Sequence, residues 1–529
     1  MLTQPRQNHR HLTSGIPRFK VVIVGAGFGG IGMAVGLKNA GVEDFTILEG
    51  GDQVGGVWRD NTYPDCNCDV PAHLYSFSFA PYRDRRIRYP GQREILAYLH
   101  SVVDEHDLEP HLRLNTALSD ATYLDTEGRW WLTTTTGHTI VAEVVIVAVG
   151  QLHRPHIPDI PGRDKFTGPW FHSARWDHTQ DLHGRDIAVI GTGSSAAQLL
   201  PYLAATAQTV RVFQRTPHWV LPKPSPQFGP LARTALHLPY AHHLYRQALA
   251  TGADLMLEPI MRRGWSARPA EWAARRYLRH KIADPELRAK LTPDYPLGGK
   301  RIIIDSHYYQ ALTRPNVELI TTPITTITTN GIQTSDNQHH HADVIVYATG
   351  FRATEFLAPM TVRGRRGRLL NEDWRSGATA HLGIAIPDYP NLFMIAGPNT
   401  FTPAGSNPQM KERQAHFIVR CLRWRERIGA RAIAVDPTAM QEHQARIDQS
   451  IAKTVWPSTT SWYRHVNGRI TNPWPGTVRA YGRALSDSPA KWFRPIPTGS
   501  NAVRRSFAPR RTAAHAHPNR TGTSSISPS

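Results

Sequence analysis

Residues 21–30 read VVIVGAGFGG and residues 187–196 read IAVIGTGSSA, so one pattern occurs twice in the chain. Each copy is a short apolar run that ends in Gly-x-Gly and is followed by small and apolar residues at helical spacing. A strand, a glycine turn and a helix in this order are typical of the phosphate-binding turn of a dinucleotide-binding unit. We therefore predict an α/β fold with two nested Rossmann-like dinucleotide-binding domains.

The first copy has all the positions that a dinucleotide requires. Gly25 allows the tight turn, Gly27 lets the backbone approach a pyrophosphate, and Gly30 lets the helix pack against the strand. The next predicted strand, residues 44–49, ends in Glu49, which lies 24 residues after Gly25. A carboxylate at this position accepts a hydrogen bond from a ribose hydroxyl and would repel a 2′-phosphate. The first site is therefore expected to hold an adenosine dinucleotide without a 2′-phosphate.

The second copy differs at the position that selects the ribose. A strand predicted over residues 209–214 is followed by Arg215, which lies 24 residues after Gly191. A guanidinium pairs with a phosphate through two hydrogen bonds, so the second site should prefer NADP over NAD. The predicted contacts of this nucleotide are Gly191, Gly193, Ser194, Ser195, Ala196, Arg215 and Thr216.

A further internal repeat supports two such domains. Residues 142–150 read AEVVIVAVG and residues 342–350 read ADVIVYATG, with apolar residues at matching positions. Each is predicted to be a buried parallel strand that closes its unit. Between the second glycine turn and its closing strand, residues 229–289 are rich in Ala, Leu and Arg, and we expect a helical insertion there.

Composition limits the classes of function. A chain of 529 residues, 40% of them hydrophobic, is long enough for two or three domains. The longest apolar runs have the length of strands, so no membrane-spanning segment is predicted, and three cysteines favour a reducing cytoplasm. The net charge of +19 does not indicate nucleic-acid binding, because nine of the positive charges lie in polar terminal stretches without acids.

The connector between the two units, residues 166–177, reads FTGPWFHSARWD. A plain linker would be polar and rich in Gly or Ser, whereas this one carries three aromatic residues, a histidine and a Trp-Asp end. Its spacing, F-x-G-xxx-H-xxx-W-D, resembles the fingerprint of the type I Baeyer–Villiger monooxygenases. Residues 55–69, GGVWRDNTYPDCNCD, resemble a second motif of that family, GGxWxxxxYP(G/M)xxxD.

The resemblance implies a flavoprotein with FAD in the first site and NADPH in the second. It implies a monooxygenase that inserts one oxygen atom of O2 next to the carbonyl of a hydrophobic ketone, through a C4a-peroxyflavin, to give an ester or a lactone. Such a reaction needs a fixed positive charge beside the oxygenated flavin. Arg301, in Gly299-Lys300-Arg301, matches the family's active-site arginine, and Asp69 is the expected partner that orients it.

The same resemblance assigns roles to further residues. His172 is expected to act in domain movement, as a hinge, more than as a direct base. Asp65 departs from the family pattern, because Gly or Met is usual there, which puts the local turn in question. The residues expected beside FAD are Val57, Trp58, Asp69 and Tyr75, and those expected beside NADPH are Arg215, Lys300, Arg301 and Trp462.

These features predict the domain organisation. A strand over residues 391–396 and a helix over residues 410–424 should return the chain to the first domain. The predicted segments are a disordered basic tail over 1–18, the first part of the FAD-binding domain over 19–165, a linker over 166–180, the NADPH-binding domain over 181–341, the second part of the FAD-binding domain over 342–495, and a disordered basic tail over 496–529.

Two other functions fit parts of the pattern. The same flavin chemistry can oxygenate nitrogen or sulfur, although enzymes of that kind usually lack the Trp-Asp end of the connector. A redox sensor that binds two dinucleotides and has no oxygenase activity is the second alternative. A disulfide reductase is disfavoured, because Cys66 and Cys68 are one residue apart and would close a strained loop. No metal site is predicted at residues 339–341, since three adjacent histidines in an extended segment point to alternate faces.

Overall fold

The computed structural model describes residues 15–238 and 240–497. The tails predicted over residues 1–18 and 496–529 lie almost entirely outside this part of the chain. The described residues form an α/β structure in which two largely parallel sheets each carry a glycine turn, so the predicted fold class is confirmed.

The helices and strands are numbered in chain order. The α-helices are α1 (Phe28–Lys38), α2 (Val57–Asp60), α3 (Gln92–Glu105), α4 (Ser194–Thr206), α5 (Pro230–Ala235), α6 (Ala241–Gly252), α7 (Glu258–Met261), α8 (Ala267–Lys281), α9 (Pro285–Lys290), α10 (Tyr308–Leu312), α11 (Leu370–Asp373), α12 (Asn407–Arg427), α13 (Pro437–Ala452) and α14 (Val478–Ala484). The strands are β1 (Arg18–Val24), β2 (Phe45–Leu48), β3 (Leu112–Arg113), β4 (Leu118–Leu124), β5 (Arg129–Thr134), β6 (Thr139–Val147), β7 (Trp170–His172), β8 (Asp186–Ile190), β9 (Thr209–Phe213), β10 (Val220–Leu221), β11 (Ile303–Ile304), β12 (Val317–Ile320), β13 (Ile324–Thr328), β14 (Gly331–Thr334), β15 (His339–His341), β16 (Val344–Tyr347), β17 (Thr361–Arg363), β18 (Leu392–Met394), β19 (Ile433–Val435) and β20 (Phe493–Pro495).

The first sheet surrounds the first glycine turn. Its strand order is β17-β4-β5-β6-β1-β2-β3, and β18 also pairs with β6. β1 is parallel to both β2 and β6, so the chain enters the turn from a central strand whose apolar side chains are buried on both faces. β18 and the long helix α12, which packs against α1, bring the end of the chain back to this first domain, as the sequence predicted.

The second sheet is entirely parallel, in the order β12-β9-β8-β16-β7. Two predicted boundaries are wrong for this reason. β16 lies between β8 and β7, so the second domain continues past residue 341 and its closing strand is Val344–Tyr347. The connector is also more than a linker, because Trp170–His172 forms the edge strand of this sheet.

The insertion expected over residues 229–289 contains the five helices α5 to α9. Its inner side packs against the segment that precedes the predicted active-site arginine, since Ile260 and Met261 share an apolar cluster with Tyr295 and Leu297. In the described part of the chain, no helix combines the length and the apolar character that crossing a membrane would require.

Candidate active site

Both glycine turns lie against the end of the strand that closes their unit. Gly25 has φ +101°, and a Cβ atom there would lie 2.8 Å from the carbonyl oxygen of Ala148. Gly191 has φ +111°, and a Cβ atom there would lie 2.4 Å from the carbonyl oxygen of Ala348. Only glycine combines this φ with so little space. α1 and α4 therefore begin at equivalent places, where the free N–H groups of a first helical turn are available to a phosphate.

The loop before α2 packs on the first turn. The N–H of Gly55 donates a hydrogen bond to the carbonyl of Ala26 at 2.9 Å. A Cβ atom at Gly27 would lie 3.7 Å from Cα of Gly56, so the two backbones nearly touch. This contact brings Val57, the first residue of α2, to the turn. Gly30 fixes α1 against β1, because a Cβ atom there would lie 1.8 Å from the carbonyl oxygen of Gly25.

Three donors hold the Glu49 carboxylate at the end of β2. The N–H of Ala26 donates to Oε2 at 2.7 Å, and Oε1 accepts from the N–H of Gly51 at 2.8 Å and from the guanidinium of Arg59 at 2.7 Å. An ionised carboxylate has about four acceptor positions, so one is left for a ribose hydroxyl. The first site thus fits the adenosine part of FAD. Arg59 was not identified from the sequence as a partner of Glu49. Its position directly after Trp58 in the second motif was the signal that could have indicated it.

Trp58 and Tyr75, both expected to contact the flavin, lie together beside this turn. The indole N–H of Trp58 donates to the Tyr75 hydroxyl at 3.2 Å, and their rings meet edge to face with centroids 5.8 Å apart. Phe28, at the start of α1, packs on Tyr75 at 5.2 Å between centroids. The three rings form an apolar wall suited to a flat aromatic ligand.

Two cations, Arg215 and Lys300, lie near enough to influence each other in the region where a 2′-phosphate is expected. Arg215 is exposed just after β9, and the Lys300 ammonium lies 4.9 Å from the centroid of the Tyr295 ring. Burial and the nearby guanidinium of Arg215 lower the pKa of Lys300 to about 8. Two neighbouring positive charges repel each other and so lower the lysine pKa. A dianionic phosphate bound between them would offset this repulsion, so the pair suits such a group.

The second glycine turn leaves open space in front of α4. A Cβ atom at Gly193 would meet no atom within 4 Å, and Ser194 and Ser195 are partly exposed at the first positions of the helix. Ala196 is buried, as the third small position of the turn requires. The carbonyl of Thr216 accepts a hydrogen bond from the Thr192 hydroxyl at 3.3 Å, which joins the loop after β9 to this turn. The second site therefore fits the pyrophosphate and the 2′-phosphate of NADPH.

Arg301 and Asp69, predicted as a pair, are in direct contact. One terminal nitrogen of the guanidinium donates to both carboxylate oxygens, at 2.7 and 2.8 Å, and Nε donates to Oδ2 at 3.3 Å. Burial lowers the pKa of Arg301, but the Asp69 carboxylate raises it by more, so the charge is fixed. A guanidinium has five N–H donors, and the two on the other terminal nitrogen are not used by Asp69. The side chains of Arg301 and Asp69 are 26% and 19% exposed, so the pair is mostly covered but partly accessible.

Trp462 reaches this pair through one aromatic ring. The guanidinium of Arg301 lies 5.6 Å from the centroid of the Phe401 ring, and Phe401 contacts Trp462 edge to face at 5.1 Å. Tyr463 is fully buried beneath, with its ring centroid 4.4 Å from that of Trp462. The C-terminal Ser-Trp element is thus brought close to Arg301, although its loop is about 160 residues away in sequence.

Gln198, on α4 of the second domain, joins the two halves of the site. Its amide oxygen accepts a hydrogen bond from the Tyr63 hydroxyl at 2.9 Å, and its amide N–H donates to the carbonyl of Asn67 at 2.9 Å. Lys223 lies on the other side of Asn67 and contacts its side-chain oxygen, and burial lowers the pKa of this lysine. Sequence reasoning found neither Gln198 nor Lys223, because both are polar residues outside any motif.

His172 is buried at the end of β7 and does not face the Arg301–Asp69 pair in any contact of the described residues. Its Nδ1 accepts a hydrogen bond from the N–H of Ala174 at 3.1 Å, and its ring packs on Phe351 at 5.7 Å. Burial lowers its pKa to about 4, so the ring is neutral near pH 7. These contacts place His172 where the connector joins the second sheet, and its role in domain movement stays a prediction.

The turn at Asp65, where the family usually has Gly or Met, keeps a glycine-like conformation. Asp65 adopts φ +60° in a turn, the conformation that glycine would supply most easily, and its side chain is exposed. Asp and Asn tolerate this conformation better than other side chains. The turn of the second motif is therefore kept, and the additional carboxylate points to solvent.

The three thiols form no disulfide, and one residue of the histidine run belongs to a small cluster of potential metal ligands. All three cysteines are free, and burial raises the pKa of Cys66 to about 11 and that of Cys68 further. Asp186, His341 and Asp343 place three potential ligand atoms within 4.8 Å of one another. Asp343 accepts a hydrogen bond from the N–H of Asp186 at 2.9 Å, and Nε2 of His341 lies 3.4 Å from the Asp343 carboxylate. The absence of a metal site here stays a prediction.

Comparison with known proteins agrees with this geometry. Residues 22–238 match the family model described as pyridine nucleotide-disulphide oxidoreductase. A Baeyer-Villiger monooxygenase from Streptomyces coelicolor is 39% identical over 91% of this chain and 92% of its own, and one from Pseudomonas aeruginosa is 35% identical over 88% and 89%. The crystal structure of cyclohexanone monooxygenase from Rhodococcus sp. Phi1 bound to NADP+ matches with a TM-score of 0.80 at 30% identity, over 91% of this chain and 99% of that one. The chain belongs to the Baeyer–Villiger monooxygenase family.

Proposed function

We propose that the enzyme uses FAD and NADPH to insert one oxygen atom of O2 between the carbonyl carbon of a hydrophobic ketone and its neighbour. NADPH, a proton, O2 and the ketone are consumed, and an ester or lactone, water and NADP+ are formed. The relatives named above and the cyclohexanone monooxygenase structure support the class of reaction. The observation that carries the proposal is the contact of Arg301 with Asp69 between the two nucleotide sites.

Bound flavin supplies the electrons that activate O2. The contribution of the chain is a positive charge at the place where negative charge develops on oxygen. Arg301 stays protonated at every working pH, and Asp69 holds its guanidinium in one orientation. The two remaining N–H donors can then bind the oxygen of the substrate carbonyl as it becomes an oxyanion. Donors fixed before the reaction need no reorganisation during it, which is the main source of their effect.

The two nucleotide sites differ in the charge that they present to the ribose. Glu49 suits the free ribose hydroxyls of FAD, while Arg215 and Lys300 suit the 2′-phosphate of NADPH. The wall formed by Phe28, Trp58 and Tyr75 keeps water from the flavin side of the site. We place the enzyme in the cytoplasm, because its three cysteines are free thiols.

The test is product analysis with purified holoenzyme. Incubation with NADPH, O2 and a cyclic ketone should give a lactone whose mass exceeds that of the ketone by one oxygen atom. Arg301→Ala should abolish lactone formation while NADPH still reduces the flavin under anaerobic conditions. Arg93→Ala, an exposed arginine on α3, is the matched control and should behave as wild type. A thioether offered in parallel separates sulfur oxygenation: sulfoxide formed with no lactone from any ketone would contradict the proposal.

A further inference from the structure

Large exposed apolar side chains are concentrated in one stretch of the helical insertion. Nine of the twelve large hydrophobic side chains that are exposed in the described residues lie between residues 231 and 272. We call these nine the apolar patch. The six most exposed are Leu231 at 89%, Tyr240 at 78%, Trp265 at 67%, Leu238 at 64%, Leu244 at 62% and Trp272 at 61%. Scattered single residues of this kind are normal on a protein surface, but such a concentration marks an interaction site.

The local structure brings part of the apolar patch together. Leu244 and Leu255 are eleven residues apart, three helical turns, so they lie on the same side of α6 and its continuation. The hydroxyl of Ser266 donates to the carbonyl of Met256 at 2.6 Å, which places the loop of Trp265 beside that continuation. On α8 the guanidinium of Arg276 lies 5.7 Å from the centroid of the Trp272 ring, so an exposed cation and an exposed aromatic ring lie side by side on this helix.

The surface around the patch is strongly basic. Residues 229–281 contain nine Arg and Lys residues and three Asp and Glu residues. The acids are already engaged: Glu258 pairs with Arg262 at 2.8 Å, Glu271 pairs with Arg275 at 3.0 Å, and Asp254 accepts a hydrogen bond from the backbone of α14. The exposed cations left over are Arg263, Arg268, Arg276 and Arg279.

We propose that this face of the insertion docks peripherally on a membrane surface that carries anionic lipid. Trp and Tyr favour the boundary between acyl chains and headgroups, Leu and Met favour the outer acyl region, and arginines bind lipid phosphates. A second copy of the chain is a poorer partner, because a symmetric contact would bring two basic surfaces together. An anionic bilayer matches both the apolar residues and the charge.

The opposite side of the insertion is tied to the active site. Arg246 on α6 donates to the carbonyl of His73 at 2.7 Å, two residues before Tyr75, and lies 3.9 Å from Glu412 on α12. A Cβ atom at Gly298 would lie 2.8 Å from the sulfur of Met261, so α7 touches the segment that leads to Arg301. Docking would therefore set the site close to the bilayer, where hydrophobic ketones concentrate. The docking itself does not depend on the proposed reaction.

The experiment is co-sedimentation of FAD-loaded, full-length enzyme with vesicles of phosphatidylcholine, alone or mixed with phosphatidylglycerol. The enzyme should sediment with the mixed vesicles, more so as the anionic fraction rises and less as potassium chloride is added. The triple variant Arg268→Gln, Arg276→Gln, Arg279→Gln should lower the partition coefficient by about tenfold or more. The triple variant Leu238→Ser, Leu244→Ser, Trp272→Ser should lose binding to a similar extent.

A matched control carries Arg427→Gln, Ile428→Ser and Val466→Ser, three exposed positions outside the insertion, and should bind as wild type. The basic tails are present in every protein, so a loss of binding reports on the insertion. Flavin content and NADPH oxidation should be the same in all variants as in the wild type. If the apolar triple variant does not bind flavin, the test of the proposal is the vesicle binding of the arginine triple variant. Equal sedimentation with both kinds of vesicle, undiminished binding of the charge variant, or a dimer in solution that the apolar variant dissociates would overturn the proposal.

Discussion

A single terminal nitrogen of Arg301 donates to both carboxylate oxygens of Asp69, at 2.7 and 2.8 Å, while the other terminal nitrogen stays free of that carboxylate. The acid thus fixes the orientation of the guanidinium without using all of its donors. One half of the arginine is structural in this arrangement, and the other half is available to a ligand.

Asp69→Asn tests whether the carboxylate of Asp69 orients the guanidinium of Arg301. The amide is close in size to the carboxylate but has no charge and only one acceptor oxygen, so Arg301 keeps its charge and loses its fixed direction. We expect the rate of lactone formation to fall by about 10²-fold, with hydrogen peroxide released in place of product, while anaerobic flavin reduction is little changed. Stopped-flow reduction and product yield per NADPH measure the two effects. Unchanged coupling of NADPH use to product would show that Asp69 does not position the arginine.

Arg215→Ala tests the choice between NADPH and NADH. Loss of a charge-assisted hydrogen bond to phosphate costs about 1.5–3 kcal/mol, so kcat/KM with NADPH should fall by roughly tenfold to a hundredfold. The value with NADH, which has no 2′-phosphate, should stay within about twofold and serves as the internal control. A similar loss with both nucleotides would mean that Arg215 acts on the fold of the loop after β9 and not on the phosphate.

The affinity for NADP+ should depend on pH through Lys300. Its pKa is lowered to about 8 in the free protein, and a bound phosphate would raise it, so binding is tightest when the lysine is protonated. The dissociation constant should therefore increase as pH rises above about 8. Titration of NADP+ into the oxidised enzyme between about pH 7 and 9.5 measures this. Lys300→Arg should bind with little dependence over the same range, because a guanidinium does not lose its proton there.

Acid should unfold the protein through its buried histidines. Burial lowers the pKa of His73, His172 and His381 to about 4 and that of His443 to about 3. The unfolded chain takes up these protons near pH 6.5, whereas the folded chain does not, so stability present above about pH 6.5 is lost as pH falls toward 4. Each such histidine contributes at most about 1.4 kcal/mol per pH unit in this window.

Urea unfolding at several pH values between about 4.5 and 7 measures this slope. His443→Gln, which removes a ring whose centroid lies 4.9 Å from that of His381, should reduce it. His243→Gln, at an exposed position on α6, should leave the slope as it is. A slope that is the same in both variants would assign the acid sensitivity to other groups.

Asp65→Gly should be tolerated and Asp65→Val should not. The position has φ +60°, which glycine adopts freely and a β-branched residue adopts at a cost of at least about 1 kcal/mol. We expect the glycine variant to remain within about 1 kcal/mol of wild type and to keep its FAD, and the valine variant to unfold at lower temperature. Thermal unfolding followed by flavin fluorescence distinguishes them. Equal stability of the two variants would show that the turn relaxes.

The parts of the site that follow from local spacing were predictable. Gly25 and Glu49, and equally Gly191 and Arg215, lie within one strand, turn, helix and strand, so chain order alone brings them together. The Arg301–Asp69 contact joins residues 232 apart in sequence, and only the resemblance to a known family could supply it. The structure contains this contact, so the two motifs meet across the domains, while the roles of the two residues stay predictions.

What the sequence did not predict depends on packing between distant segments. The domain boundary placed at residue 341 cut β16 from the second domain, although the repeat over residues 342–350 had indicated that this strand closes that unit. Arg59 contacts Glu49 and Gln198 contacts Tyr63, and the residue type alone does not say which of the many suitable polar groups each side chain will meet. The exposure of Leu244 and Trp272 was also unpredictable, because apolar residues at helical spacing normally indicate a buried face.

One amide side chain, that of Gln198, holds the Tyr63 hydroxyl with its oxygen and the Asn67 carbonyl with its nitrogen. If α4 slides by one residue past the loop that contains Tyr63 and Asn67, both hydrogen bonds are lost together, because both partners lie on that loop. The contact between the two lobes is therefore made or lost as a unit at this point. A carboxylate in its place has no donor, so it would lose the bond to the Asn67 carbonyl and keep only the contacts in which it accepts, from the Tyr63 hydroxyl and from the N–H of Asn67.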